Sequence, residues 1–428
     1  MHGGPEHTEA MERLLVRPGP RLEGSVEIGG AKNSVLKLMA ASVLAEGEHR
    51  INNVPAITDV SLMCEVLEAM GLRAYREGSS LTIIRPAEIV PEAPYELVEQ
   101  MRASIVVLGP LLAAVGEARV AMPGGDDFGH RPINLHLAGL EALGATFEQR
   151  AGTVHGRAEQ LIGTRVVLEF PSVGATENLL MAAVRAKGTT VIDNAAREPE
   201  IADLASFLNR MGAKVLGAGG STIEVEGVEE LTPVEHTVIP DRIETATFLG
   251  AVGVAGGEVV LKGARPDHLD MVIQKLGAMG MRISPAPDGV WALGHERLRS
   301  VDLATLPYPG VPTDTKPLFV SLLSLADGVG VVTDNIFGEG RLRYVAELQR
   351  LGADIRTEGH HAVIRGVERL QAAPVRMPDI RAGAALVVAA LGADGEVALT
   401  GVEHLDRGYG DFVGKLQALG ADVERVTS

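Results

Sequence analysis

The sequence predicts an α/β protein of two domains, each built from three copies of one unit of roughly 70 residues. Three observations lead to this expectation. An amphipathic helix ending in Leu-Gly or Met-Gly occurs as EVLEAMG, GLEALGA, FLNRMGA, KLGAMGM, ELQRLGA and KLQALGA, closing at Gly71, Gly144, Gly212, Gly280, Gly352 and Gly420. A helix that is apolar nearly all round precedes each copy and is followed by Gly and a β-prone run. At 428 residues the chain is too long for one ordinary core.

In chain order, residues 1–11 are polar, lack a hydrophobic signal region and are expected to form a disordered tail. Arg13 to Gly30 holds two short β-like runs, expected to pair with the second domain. The six apolar helices are NSVLKLMAASVLAEG, RASIVVLGPLLAAVG, TENLLMAAVRAKG, TATFLGAVGVAGG, DTKPLFVSLLSLADG and RAGAALVVAALGADG, and they should be buried. In the first amphipathic helix Val60, Met63, Leu67 and Met70 share one face, and the closing glycine suits a left-handed cap. A strand and turn follow, as in TIEVEGVEEL and HAVIRGVERL. The unit is therefore buried helix, strand, amphipathic helix, strand, strand. The expected first domain covers 32–239 and carries a loop at 123–132; the second covers 12–31 and 240–428. An open solenoid of six units is the competing arrangement.

Composition narrows the function. Hydrophobic content of 46% with 22% charged residues is globular. An aromatic share of only 3% argues against stacking on bases or sugars, and a net charge of −17 argues against nucleic acid as a partner. Cys64 has no partner for an internal disulfide, so a reducing compartment fits. No apolar run reaches the ~20 residues of a membrane helix. A cytoplasmic protein with small-molecule partners and no membrane contact is expected; the residues leave the oligomeric state open.

The charges point to anions. Lys32 and Asn33 open the first buried helix, Arg102 the second, and Ser172 to Thr176 the third. Asp241 and Arg242 open the fourth, Asp314 the fifth, and Asp379 and Arg381 the sixth. Capping explains Asn33, Ser172, Asp241, Asp314 and Asp379. It does not explain Lys32, Arg102, Arg242 and Arg381, because cations oppose the helix dipole there unless an anion lies between. The alternative is that each arginine pairs with a neighbouring carboxylate; for Arg242, flanked by Asp241 and Glu244, that is at least as strong. Arg407 is a further cation, expected where the last amphipathic helix begins. The loop PGGDDFGHRP, Pro123 to Pro132, combines three glycines with Asp126, Asp127, His130 and Arg131, and reads either as a lid over an anionic substrate or as a solvated turn. GAKNS at 30–34 lacks P-loop spacing, and VLGAGGS precedes a strand, which disfavours a dinucleotide fingerprint. His360 and His361 are adjacent in a hairpin and unsuited to share a metal.

Taken together, GGAKNS at 29–34, MRAS at 101–104, PGGDDFGHRPINLH at 123–136, SVGAT at 172–176, NAAREPEI at 194–201, IPDRIET at 239–245, PTD at 312–314, DIRAG at 379–383 and LDRGYGDF at 405–412 resemble the UDP-N-acetylglucosamine 1-carboxyvinyltransferase family. The resemblance runs from about Leu14 to Val426. It implies two inside-out α/β barrels around a closable cleft, no metal or organic cofactor, and transfer of enolpyruvate from phosphoenolpyruvate to the 3′-hydroxyl of UDP-N-acetylglucosamine in peptidoglycan synthesis. It further implies that Lys32, Asn33, Arg131, Arg341, Arg381 and Arg407 hold phosphoenolpyruvate. Asn33, Arg102, Arg131, Pro132, Ile133, Asn134, Leu135, His136, Phe170, Pro171, Ser172, Val173, Gly174, Asp314 and Ile336 would hold the nucleotide sugar. Asp314 would be the base, Lys32 would act at the reacting centre, and Asp126 occupies the place of the proton donor, where most members have cysteine. Phe170 stands where many relatives have lysine, and the stretch between Phe337 and Arg341 is one residue longer. Two other readings compete: a non-catalytic nucleotide-sugar-binding paralogue, and carboxyvinyl transfer to another acceptor such as shikimate 3-phosphate.

Overall fold

The structure is a computed structural model that describes residues 12–122, 124, 133–337 and 342–427. The six apolar segments form helices α1 (Lys32–Ala41), α2 (Leu108–Val115), α3 (Val173–Ala183), α4 (Arg242–Ala255), α5 (Lys316–Leu325) and α6 (Ile380–Ala390). Every residue of α6 is buried, as its sequence, apolar on all sides, requires. The amphipathic helices follow at Thr58–Ala69, Asn134–Ala142, Pro199–Arg210, Asp270–Ala278, Val345–Arg350 and Phe412–Ala418. The six glycines just beyond them all have φ between +82° and +109°, where a side chain would be strained.

Six four-stranded sheets surround the helices. In five of them three antiparallel strands come from one unit and a fourth, parallel strand from outside it; in the sixth the N-terminal strand Glu12–Arg17 is one of the antiparallel strands and Val375–Arg376 is the parallel one. That fourth strand corrects the solenoid alternative. Glu235–Thr237, at the end of the third unit, pairs parallel with Gly47–Asn52 of the first, so three units close on themselves. The second trio is completed by the N-terminal strands: Leu22–Glu27 pairs with Gly257–Lys262, and Glu12–Arg17 is inserted between Val397–Thr400 and Asp422–Thr427. An open stack would leave these edges bare. The buried helices meet in the interior: α4, α5 and α6 pack on one another, and α2 packs on α3. The core accordingly falls into two apolar clusters, one from Ala31 to Val238, the other from Leu14 to Ile28 and Ala246 to Val423. The architecture is thus two inside-out α/β units with helices within and sheets without. Among the described residues no helix is long and apolar enough to cross a membrane.

The chain crosses between the clusters twice, and the crossings are tied together. Gly30 bridges Pro240, Ala31 N–H donates to Ile239 O at 2.8 Å, and Asp241 N–H to Gly29 O at 2.8 Å. A Cβ on Gly30 would lie 1.8 Å from the Asn53 carbonyl oxygen, so only glycine permits this approach.

One buried pair fixes a cleft-facing segment. Lys316 and Asp334 have fully buried side chains in contact, and Asp334 Oδ1 also accepts from Thr305 Oγ1 at 2.8 Å, Ile336 N–H at 2.9 Å and Phe337 N–H at 3.1 Å. Asp334→Ala would take its carboxylate away from a buried ammonium and is expected to cost about 3–5 kcal/mol in urea unfolding. A loss under about 1 kcal/mol, the range of an exposed pair, would contradict that reading.

Candidate active site

The helix starts converge on a shared cleft. A cleft of about 570 Å³ is lined from both halves of the chain, with Lys32, Asn33 and Arg102 on one side and Asp314, Arg381 and Arg407 on the other. Asn134, Leu135, His136, Phe170, Pro171, Ser172, Val173, Gly174 and Ile336 complete the expected residues found in its walls. Ile133 does not join them, because its side chain is buried in the first apolar cluster. Asp126, Arg131, Pro132 and Arg341 lie outside the described residues, as do Asp127 and His130.

The helix starts are capped unevenly. Ser172 Oγ accepts from Ala175 N–H, Asp379 Oδ1 from Arg381 and Ala382 N–H, and Asp241 Oδ1 from Ile243 and Glu244 N–H. Asp241 Oδ2 also accepts Lys32 N–H at 3.1 Å, so one carboxylate serves α4 and α1 across the crossing. Asn33 and Asp314 are not caps, contrary to the expectation from sequence. Asn33 lies inside α1 and its amide donates to Asp314 Oδ2 at 3.3 Å; Asp314 lies in a 3₁₀ turn, Thr313–Thr315. Both face the cleft instead of a helix end.

Lys32, Arg407, Arg381 and Arg242 each have a carboxylate at hand. Lys32 Nζ lies 2.8 Å from Asp59 Oδ2, while Arg407 Nε donates to Asp59 Oδ1 at 3.0 Å, so a single buried carboxylate links a lysine from α1 to an arginine near the C-terminus. Arg381 Nε reaches Asp314 Oδ2 at 3.4 Å, and its guanidinium lies 5.4 Å from the Tyr409 ring centre. Tyr409 is itself held by a 3.0 Å hydroxyl contact with Thr247. Arg242 pairs with Glu200 at 2.9 Å, and not with Asp241 or Glu244, which the sequence offered as neighbours. Asp241 is turned to the helix caps and Glu244 to Lys415 and Gly29 N–H. Arg407 also departs from its expected place. It follows a short helix, Glu403–Asp406, and precedes Asp411 in the left-handed region, ahead of the last amphipathic helix.

Burial sets the electrostatics. It lowers the Lys32 pKa, with Arg381 and Arg407 acting the same way and Asp59 opposing. Burial also works against the charge on Arg381, but Tyr409, Asp314 and Asp241 outweigh it and hold the guanidinium charged. His136 falls to about 4 through burial and the nearby Arg102, so it is a neutral imidazole whose Nδ1 contacts the Asn178 amide at 2.8 Å. Buried cations from both halves, facing a shared space beside a carboxylate, are suited to holding an anion. No group of three or more His, Cys, Asp or Glu side chains arranged to hold a metal occurs among the described residues.

Asp59 had no signal in the sequence, and although Glu200 and Tyr409 lie in NAAREPEI and LDRGYGDF their roles did not show, since each acts through a partner distant along the chain. Asp59 looks like an ordinary acid in a first helical turn.

The family model for EPSP synthase (3-phosphoshikimate 1-carboxyvinyltransferase) matches residues 16–416. The chain is 53% identical over 421 residues to UDP-N-acetylglucosamine 1-carboxyvinyltransferase of Nocardia farcinica, covering 97% of this chain and 99% of that protein. It is 51% identical over 415 residues to the enzyme of that name from Mycobacterium tuberculosis, with the same coverages. Among solved structures, the enolpyruvyl transferase NikO from Streptomyces tendae superposes with a TM-score of 0.86 at 25% identity, covering 98% of this chain and 100% of that one. EPSP synthase from Acinetobacter baumannii shares the fold with a TM-score of 0.72 at 18% identity, covering 97% of this chain and 100% of that one. By sequence, fold and the composition of its cleft, the chain belongs to the carboxyvinyltransferases described by the EPSP synthase model, and within them to the UDP-N-acetylglucosamine 1-carboxyvinyltransferase family.

Proposed function

We propose that this chain transfers enolpyruvate from phosphoenolpyruvate to the 3′-hydroxyl of UDP-N-acetylglucosamine, releasing phosphate, as the first committed step of peptidoglycan synthesis. The observation that carries the proposal is the meeting of Lys32, Arg102, Arg381 and Arg407 with Asp314 in one cleft. The names and identities of the curated relatives support it. A binding-only paralogue would have no need of this set. Cytoplasmic location and the domain limits 32–239 and 12–31 plus 240–428 belong to the same proposal; the strand pairing of the N-terminal segment supports those limits.

In this scheme Lys32, Arg381 and Arg407 hold the phosphate and carboxylate of phosphoenolpyruvate, with Arg131 and Arg341 assigned to the same anion. Arg102, Asn33, His136 and the α3 start at Ser172–Gly174 hold the nucleotide sugar. The 3′-hydroxyl oxygen bonds to C2 of phosphoenolpyruvate and gives its proton to Asp314, while C3 takes a proton from Asp126. The product is a tetrahedral ketal. Loss of a C3 proton then restores the double bond as the C2–O bond to phosphate breaks. Lys32 and the arginines stabilise charge as it moves to the departing phosphate, in a site already ordered for it.

Phosphate release is the direct test. It is expected only with phosphoenolpyruvate and UDP-N-acetylglucosamine together, and Lys32→Ala is expected to lower it by about 100-fold or more. Release with shikimate 3-phosphate instead would move the reaction to another acceptor; release with neither would favour the binding-only paralogue.

Asp126 in place of cysteine gives a second test. An ordinary Asp, pKa ~3.9, is a poor acid at neutral pH, so the role requires a raised pKa in the closed complex. The rate is then expected to fall as pH rises through that value, and Asp126→Asn to abolish this limb. Superimposable profiles would remove Asp126 from the chemistry. Fosfomycin, which alkylates the cysteine of relatives, is expected to add no mass to this chain; an adduct in the loop would show the opposite.

A further inference from the structure

Among the charged side chains in the cleft wall that have no part in the scheme above are Lys37 and Glu177. Lys37 lies one turn beyond Asn33 in α1, and Glu177 lies one turn beyond Val173 in α3. Glu177 is wholly buried, and neither of its carboxylate oxygens has a hydrogen-bond partner. Oε1 stands 3.5 Å from the Lys37 ammonium, which donates to the Asn33 carbonyl at 2.9 Å. The contact between Lys37 and Glu177 is therefore one of charge with charge and not a formed hydrogen bond.

Stability is a poor reason for such a pair. A buried carboxylate without hydrogen bonds is costly, and an apolar pair of equal volume commonly serves a fold as well or better. Position is a better reason. Helix α1 packs on the helices Thr58–Ala69 and Pro199–Arg210, and α3 packs on α2, on Asn134–Ala142 and on the same Pro199–Arg210. Lys37 and Glu177 reach directly from one to the other, each one turn behind a helix start that faces the cleft.

We propose that Lys37 and Glu177 are positioning residues: their ion pair locks the start of α1, with Lys32 and Asn33, to the start of α3, with Ser172–Gly174, so that both grip the nucleotide sugar in one fixed register. The inference rests on the transferase reading, since it takes the nucleotide sugar as the ligand.

The lock is made only when Glu177 is ionised. The charged groups that act on it are Lys37 from α1, and Glu198 and Glu200 at the start of Pro199–Arg210, with Glu200 engaged by Arg242. Burial pushes the Glu177 carboxyl up to about 7; Lys37 opposes this and the two glutamates add to it. His136, joined to α3 through Asn178, is held near 4 and stays neutral around pH 7. A raised carboxyl favours the fold most when protonated, so its contribution to stability is full at low pH and is lost as pH climbs toward 7. Affinity and stability should therefore move in opposite directions with pH.

The test is calorimetric titration of the full chain with UDP-N-acetylglucosamine, without phosphoenolpyruvate, between about pH 6 and 8.5. Wild-type affinity is expected to rise about fivefold or more through neutrality, a coupling of ordinary size. Glu177→Gln and Lys37→Met are each expected to bind more weakly and with no pH dependence. A flat wild-type profile, or a Glu177→Gln protein that keeps the slope, would overturn the lock and leave the transferase reading standing. Absence of binding at every pH would overturn that reading, and the lock with it. Should Glu177→Gln not fold, the wild-type slope and Lys37→Met decide the matter.

Discussion

Everything in the cleft depends on cations held out of water beside helix N-termini, a placement that burial and the helix dipole both oppose. Carboxylates make it tolerable. Asp59 sits between Lys32 and Arg407, Asp314 between Asn33 and Arg381, and Glu200 against Arg242. In each case a partner comes from the other half of the chain. The neutralising contacts therefore also join the two halves, and the charge needed to bind an anion becomes part of what shapes the cleft.

The fold makes this economical in parts. Closing three units into a ring directs the buried helices inward, so their starts lie at one end. The second trio is completed by the N-terminal strands, so the chain passes the junction twice, and the passages at Gly29–Lys32 and Ile239–Asp241 are hydrogen-bonded side by side. Lys32 follows immediately on this seam. Asp241, within it, caps α4 with one oxygen and receives Lys32 N–H with the other. The seam and a cleft-facing cation thus share one carboxylate.

Much of this was legible in the sequence because it is local and repeated. A helix apolar on every side should be buried, and a glycine after an amphipathic helix should take the left-handed conformation; the second holds in all six units, and the first in all but the C-terminal end of α2, where Val115 is exposed. The convergence of cations could be anticipated because Lys32 and Arg381 violate a local rule at helix starts; Arg102 was expected to do the same but opens a 3₁₀ turn, Arg102–Val107, ahead of α2. What local pattern does not carry is long-range. Ring closure, which the family resemblance implied, depends on Glu235–Thr237 returning to Gly47–Asn52, and no periodicity announces that pairing. Arg242 chose Glu200 over two nearer acids because those acids were already committed to caps, Lys415 and Gly29. Asn33 and Asp314 looked like caps and are contacts across the cleft, since residue type alone does not tell which end a short polar side chain will face.

The most direct measurement is a double-mutant cycle between Asp59 and Arg407, read as the KM for phosphoenolpyruvate in wild type, Asp59→Asn, Arg407→Gln and the double variant. If Asp59 holds Arg407 and Lys32 in place for an anion, the two changes should be non-additive by about 1 kcal/mol or more. If their effects add to within about 0.5 kcal/mol, the carboxylate and the cation act independently, and the cleft is not organised in this way.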